Sequence, residues 1–192
     1  FEDENVVHVD GKIDPVSDVQ VIQTELILSD WEQVERKIER LTRQIKGDRA
    51  LSAELAVFER LRDHLGEGLL ASDLALGSED KKRISELRLL TLKPYLYIAN
   101  ISEDGLKKPE VYEQQLRELA DEEGVEVITI CVQVESELSE MEDVESQLFM
   151  EELGIDSLGL DRLTQSGYRM MEQITYFTAG KKEVRAWEIR KG

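Results

Sequence analysis

The sequence predicts an α/β chain with a helical hairpin set before its sheet. Three observations carry that reading. Two apolar runs, Tyr95–Ala99 and Val125–Val132, are separated by one helix-length segment, and strand, helix, strand in that order reads as a crossover between parallel strands. Ahead of them, two amphipathic stripes follow each other across the short Gly47-Asp48 break, so an antiparallel helical pair is the economical arrangement. After them, ITYFTAG and KKEVRAWEI are strand-like runs joined at Gly180-Lys181, the pattern of a β-hairpin.

Composition narrows the class. The 192 residues are 41% apolar, enough for a real core. No apolar run approaches the roughly 18 residues of a membrane span, and the opening FEDENVVHVD lacks a signal-peptide pattern. No membrane partner and a cytoplasmic location are expected. Cys131 is the single cysteine, which excludes an internal disulfide and a cysteine-based zinc site. The net charge of -18 argues against nonspecific nucleic-acid binding over the whole surface, and DNA is not expected as a partner. The charge is uneven: Ile101–Asp161 holds 19 Asp and Glu against Lys107, Lys108 and Arg117, whereas Trp31–Leu65 holds 8 Lys and Arg against 7 acids. A polyanion contact would belong to the second segment.

The elements follow in order. FEDENVVHVDGKIDP is punctuated by Asp10-Gly11 and Asp14-Pro15 and reads as a strand end entering a loop. Ser29-Asp30-Trp31-Glu32 is a capping box and predicts a helix start. Trp31, Val34, Ile38, Leu41 and Ile45 then recur at the 3 and 4 spacings of a coiled-coil seam, stopped at Gly47. Leu51, Leu55, Phe58, Leu61 and Leu65 form the second stripe, and a third helical run is expected from Ser78 through Ile84 and Leu87 to about Leu90. Pro94 forbids continuing it. Pro109 can open the next helix, with Val111, Leu116 and Leu119 inward and Gly124 beyond its end. Ser139 with Glu142 is a second capping box, predicting one helix from Ser139 to Leu153.

The chemistry-bearing candidates sit at strand ends. In open α/β sheets ligands lie beyond the carboxyl ends of the strands, where Asn100 and Glu103 follow the first strand and Cys131-Val132-Gln133 end the second. An Asn amide donates and accepts, and an acid accepts from an exocyclic amino group, the functions a purine edge requires. The same residues also suit an ordinary strand-to-helix turn. Cys131 has no adjacent basic residue and reads as a small buried strand residue. His8 and His64 read as structural or solvated. Arg36, Arg40 and Arg43 share a helix face that can meet RNA phosphates, yet Glu32 with Arg36 and Glu39 with Arg43 have the spacing of exposed helix ion pairs.

YLYIANISE resembles the base-recognition motif of P-loop GTPases. Together with FEDENVVHVDGKIDPVSDVQVIQTEL near the start, LTLKPYLYIANISE in the middle and ITYFTAGKKEVRAWEIRKG at the end, it resembles the YchF, or Obg-like ATPase, branch of the Obg family over nearly the whole chain. The resemblance implies the C-terminal part of a P-loop NTPase (OBG-type G) domain with an inserted antiparallel coiled-coil hairpin, followed by the start of a β-grasp (TGS) domain. Its implied layout is 1–20 G-domain segment, 21–90 helical insertion, 91–160 rest of the G domain, 161–173 linking helix and 174–192 TGS start.

By the same resemblance, Asn100, Ile101, Ser102 and Glu103 form the base motif. Asn100 contacts the purine ring, and Ile101 packs on the base or presents its backbone to the 6-amino group. Cys131, Val132 and Gln133 take the place of the second base loop, Ser-Ala-Lys or similar in relatives; Gln133 departs from that pattern, while a backbone contact from Val132 can survive it. The usual GTPase motif is Asn-Lys-x-Asp. Glu103 is one methylene longer than that Asp and crowds guanine's edge, and by resemblance to the YchF branch Asn-x-x-Glu implies that adenine nucleotide is accepted and often preferred; the family implies a parent that binds and hydrolyses ATP, with GTP open as a further substrate. The family further implies Mg2+ as cofactor and a ribosome or ribosomal RNA contact. The chain contains no Gly-x-x-x-x-Gly-Lys-Ser/Thr phosphate loop. The phosphate and Mg2+ sites are therefore expected outside this chain, which is expected to be an inactive fragment with no catalytic or metal residues of its own. An interaction module binding a ribosomal or protein partner is the alternative, and a coiled-coil structural protein a third reading.

Overall fold

The computed structural model describes residues 13–45 and 49–192. The expected N-terminal strand end, His8 and the Gly47 stop lie outside the described residues. The described residues divide into two compact units, one within Ser17–Pro94 and the other comprising Tyr95–Gly192 with residues 13–16.

The first unit is helical. Helix α1 runs Pro15–Gln44 and α2 runs Arg49–Gly66. The helix start expected at Ser29 is corrected: Pro15 occupies the first helical position, where its fixed φ fits and its missing N–H is no loss, and Ser29 lies exposed in mid-helix. The apolar seam extends one turn back to Ile27 and continues through Val34, Ile38 and Leu41, all buried. It packs against Val57, Phe58, Leu61 and Leu65 of α2. Cross-links run in antiparallel order: Trp31 lies over Gly66, and Arg62 and Glu54 reach Glu35 and Lys37 at 3.7 and 2.9 Å. Lys37 also lies 5.3 Å over the Phe58 ring. Burial opposes the charge on Lys37, but hydrogen bonds to Glu54 and Glu86 outweigh it and hold the ammonium pKa above its ordinary value.

The base of this unit is built from short pieces. A 3-10 turn at Ala71–Asp73, helix α3 at Ser78–Ser85 and a second 3-10 turn at Leu90–Leu92 close it. The expected run to Leu90 is corrected, since α3 stops five residues earlier and Arg88 turns left-handed at φ 50°. What holds the turn is Asp30, fully buried, whose carboxylate accepts from the Leu90 and Thr91 amides at 2.8 and 2.7 Å and from the Thr91 hydroxyl at 2.7 Å. The Thr91 hydroxyl oxygen accepts in turn from the Ala71 amide at 3.1 Å. Those amides leave the helical ladder because a buried anion 60 residues away offers a charge-assisted alternative.

The second unit carries the sheet. Strand β1 (Tyr97–Asn100) pairs in parallel with β2 (Val127–Ile130), Asn100 lying opposite Ile130. Between them come a short helix α4 (Glu103–Lys107), which has no clear sequence signal, and α5 (Val111–Glu123), ended by Gly124 in the left-handed region at φ 69°. Strand β2 is shorter than the apolar run: Cys131 is the N-cap of α6 (Val132–Glu140). The single helix expected from Ser139 is corrected to two, because Ser139 lies inside α6, where its hydroxyl donates to the Ser136 carbonyl at 2.7 Å. The chain breaks at Met141, and α7 (Asp143–Leu153) begins after it. Helix α8 (Gly159–Met170) leads into the antiparallel hairpin of β3 (Gln173–Ala179) and β4 (Val184–Arg190).

Side-chain alternation along β2 lets helices cover both of its faces. Thr129 turns to Glu113 of α5, its hydroxyl donating at 2.7 Å. One residue on, Ile130 faces α8, so closely that a Cβ on Gly159 would lie 2.8 Å from its side chain. At the other end of the strands, Glu126 accepts from Ser166 and Arg169 of α8 at 2.8 and 2.7 Å. The Ser166 hydrogen bond, aided by Arg169 against some burial, holds its carboxyl below the usual range. Tyr97 donates to Glu123 at 2.6 Å, and burial followed by that bond raises its phenol pKa. These anchors leave the carboxyl ends of β1 and β2 as the free tips.

Candidate functional site: two strand tips joined by Asn100

The two tips meet through one side chain. Asn100 Oδ1 accepts the Val132 N–H at 3.2 Å, and Val132 is the first residue of α6, whose amide has no partner within its own helix. Parallel register puts Asn100 beside Ile130, so an amide side chain ending β1 is within reach of the chain that leaves β2 one residue later. The carbonyl end of Asn100 is thereby fixed. Asn100 is exposed, and its Nδ2 group makes no hydrogen bond among the described residues, which leaves two N–H donors without a partner there.

The other predicted site residues divide sharply. Glu103 stands exposed in the first turn of α4 with its carboxylate unpaired among the described residues. Val132 is 54% exposed and forms an apolar rim. Ser102 caps α4, its oxygen accepting from the Gly105 amide at 3.2 Å. Ile101 is buried and gives its N–H to the Ile130 carbonyl at 2.9 Å, and it lines the cavity behind the tip. Cys131 is likewise buried. The Gln133 amide is not brought to the tip, since it donates to Glu137 along α6 at 3.1 Å.

Behind the tips lies a cavity of about 390 Å³, walled by the inward side chains of Ile101 and Cys131 and by Glu113, Thr129 and Arg162. Glu113 is buried there and accepts from Arg117 and Thr129. Asn100, Glu103, Val132 and Gln133 are not among its lining residues. Among the described residues, no three His, Cys, Asp or Glu side chains converge as metal ligands, and no helix is long and apolar enough to cross a membrane.

One residue at the tip carries no sequence signal for its role. Glu110 follows Pro109 at the head of α5, where an acid reads as favourable to its own helix dipole. Its carboxylate instead reaches back to Ser102, accepting from the backbone N–H at 3.1 Å and the hydroxyl at 2.5 Å.

No protein-family model matches the chain. The ribosome-binding ATPase YchF of Escherichia coli O157:H7 is 45% identical over 193 residues, and that of Bacillus subtilis (strain 168) is 42% identical over 195. Each match covers 100% of this chain and 53% of the relative, so the chain spans about half the length of the curated relatives it matches. The structure of the Schizosaccharomyces pombe YchF GTPase superposes with a TM-score of 0.87 at 31% identity, again over 100% of this chain and 53% of that one. Matched over its whole length in both sequence and backbone, the chain resembles about half of a YchF protein.

Proposed function

We propose that this chain carries the base-reading part of a YchF-type nucleotide hydrolase that binds and hydrolyses ATP, with GTP the poorer substrate. The observation that supports this most is the Asn100 to Val132 bond, which holds two strand tips together, with the Asn100 amide and the Glu103 carboxylate, three residues apart in sequence, both exposed. Donors of this kind suit a purine ring nitrogen, and an unpaired carboxylate suits an exocyclic amino group. The residues here hold the base. Phosphate and Mg2+ contacts, and with them phosphoryl transfer to water, are assigned to other parts of a longer protein. The chain by itself is expected to be inactive.

In this reading the α1–α2 pair is a coiled-coil insertion, β3–β4 begins a TGS domain, the protein is cytoplasmic, and its partner is a ribosome. The ribosomal contact takes its support from the names of the bacterial relatives. Arg36 and Arg43 are paired with Glu32 and Glu39 at 3.6 and 3.1 Å on the exposed face of α1, which favours a solvated face there. The second reading, a non-catalytic interaction module, is favoured by one feature: the hairpin exposes Phe177 at 71% and Val184 at 68%, side chains that a partner can cover.

Glu103→Asp separates the two. Shortening the acid by one methylene relieves the crowding of guanine's 2-amino edge, so guanosine should gain on adenosine by about tenfold in relative affinity, near the low end of what one base contact contributes. Titration of both nucleosides into the wild type and the variant measures it. An unmoved ratio with both nucleosides still bound contradicts the role of Glu103; no purine binding to either protein leaves the interaction module as the better account.

A further inference from the structure

We propose that Glu110 is a positioning residue that sets which purine the tip accepts, by fixing the backbone that carries Glu103; this rests on the purine-site reading above. The two polar side chains at the tip are held by different means. Asn100 is fixed by the Val132 amide across the sheet. Glu103 has no side-chain anchor among the described residues, so its place depends on the backbone at Ser102 and the first turn of α4.

That backbone is fixed by Glu110. Standing at the N-cap of α5, Glu110 makes no cap bond to its own helix. Its Oε1 accepts both the N–H and the hydroxyl of Ser102. A hydroxyl has one proton, and with that proton committed to Glu110, the Ser102 oxygen is oriented to accept from the Gly105 amide. The direction of the chain of bonds, Gly105 to Ser102 to Glu110, is thus determined by the carboxylate. Packing reinforces it: a Cβ on Gly105 would lie 2.8 Å from Glu110 Oε1 and 3.1 Å from the Ile101 side chain, so the carboxylate rests directly on the α4 backbone. Ser102 and Glu110 are both half-buried, where charge-assisted bonds are least diluted by solvent.

The consequence is a division of labour. Losing Glu110 should loosen the placement of Glu103 and hence the choice between adenine and guanine, while the Asn100 contact, anchored separately, continues to hold either purine. A residue that merely stabilised the fold would weaken both nucleosides alike.

The test uses the 15N-labelled chain, adenosine and guanosine as probes, and amide hydrogen exchange. Glu110→Asp keeps the charge and a good helix-starting residue but is one methylene too short to reach Ser102. Glu110→Gln keeps a carbonyl oxygen at full reach. For Glu110→Asp, exchange at Ser102 and Gly105 should quicken by about tenfold, and the adenosine-to-guanosine affinity ratio should collapse by a similar factor. Exchange of the Ile101 amide, bonded to Ile130, should stay unchanged. Glu110→Gln should restore most of both effects. The proposal is overturned if the affinity ratio of Glu110→Asp equals that of the wild type, or if Glu110→Gln behaves like Glu110→Asp in both measurements. Should the wild type itself bind neither nucleoside, the purine-site reading fails first, and that outcome is distinct from a wild type that discriminates and a variant that discriminates equally well.

Discussion

Asp30→Ala should destabilise the helical unit by about 3 kcal/mol, the sum expected when a buried anion with three hydrogen bonds is removed and part of the loss is recovered by rehydration. Asp30 is fully buried, and its three donors come from Leu90 and Thr91, at the far end of the unit in sequence. Without it, the Thr91 amide and hydroxyl lie in a buried place with no acceptor, while the half-exposed Leu90 amide can turn to water. Asp30→Asn should cost less but still be harmful, because its NH2 group faces donors. Thr91→Val keeps the volume of the side chain yet strands the Ala71 amide, which donates to the Thr91 hydroxyl oxygen; about 1 to 2 kcal/mol is expected. Urea unfolding followed by Trp31 fluorescence, in a Trp187→Phe background that removes the other indole, measures all three. Stability of Asp30→Ala within 0.5 kcal/mol, on the order expected of an exposed site, would contradict the assignment.

Asn100→Ala should abolish most purine affinity while leaving the fold in place. The side chain is exposed, so the cost in stability should stay near the ~1 kcal/mol of one cap-like hydrogen bond. Binding should suffer more, on two grounds. The variant removes both Nδ2 donors, and it frees the Val132 amide from the bond that ties the second tip to the first. A loss of at least about tenfold in adenosine affinity follows from one well-placed polar contact. Faster exchange of the Val132 amide in the same variant reports the structural half of the effect. A variant that binds adenosine as the wild type does, with the Val132 amide exposed, would separate the bond from the function.

The seam of α1 was legible because its spacing is a property of the residues themselves: Val34, Ile38 and Leu41 had to face a partner, and Phe58 and Leu61 on the next stripe supply it. The parallel pairing of β1 and β2 was legible for a similar reason, two short apolar runs with one helix between them. The helix start was misread because Ser29 and Glu32 have the local form of a capping box while nothing between Pro15 and Ser29 interrupts helix formation. Asp30, inside that same box, uses its carboxylate on amides 60 and 61 residues away, and no local pattern announces such a bond. At the tip, Asn100, Glu103 and Val132 were placed by the rule that ligands gather at strand ends, and the structure does bring Asn100 and Val132 together. Ile101 and Cys131 belong to the two expected base motifs but are buried: Ile101 alternates with exposed Asn100 along the extended chain, whereas Cys131 follows the equally buried Ile130 on a strand that helices cover on both faces. Glu110 and the buried Glu113 escaped notice because a glutamate at the head of a helix is ordinary; only the folded chain shows the first reaching Ser102 and the second bonded to Thr129 and Arg117.

The most direct test is a titration of the 15N-labelled chain with adenosine, followed by 15N–1H spectra. Saturable shifts concentrated at the Asn100 side-chain amide and the backbone amides of Glu103 and Val132, and weaker ones with guanosine at equal concentration, are the predicted result. Saturable shifts that leave these three groups still, or a guanosine response that saturates first, would contradict a purine site at the joined strand tips.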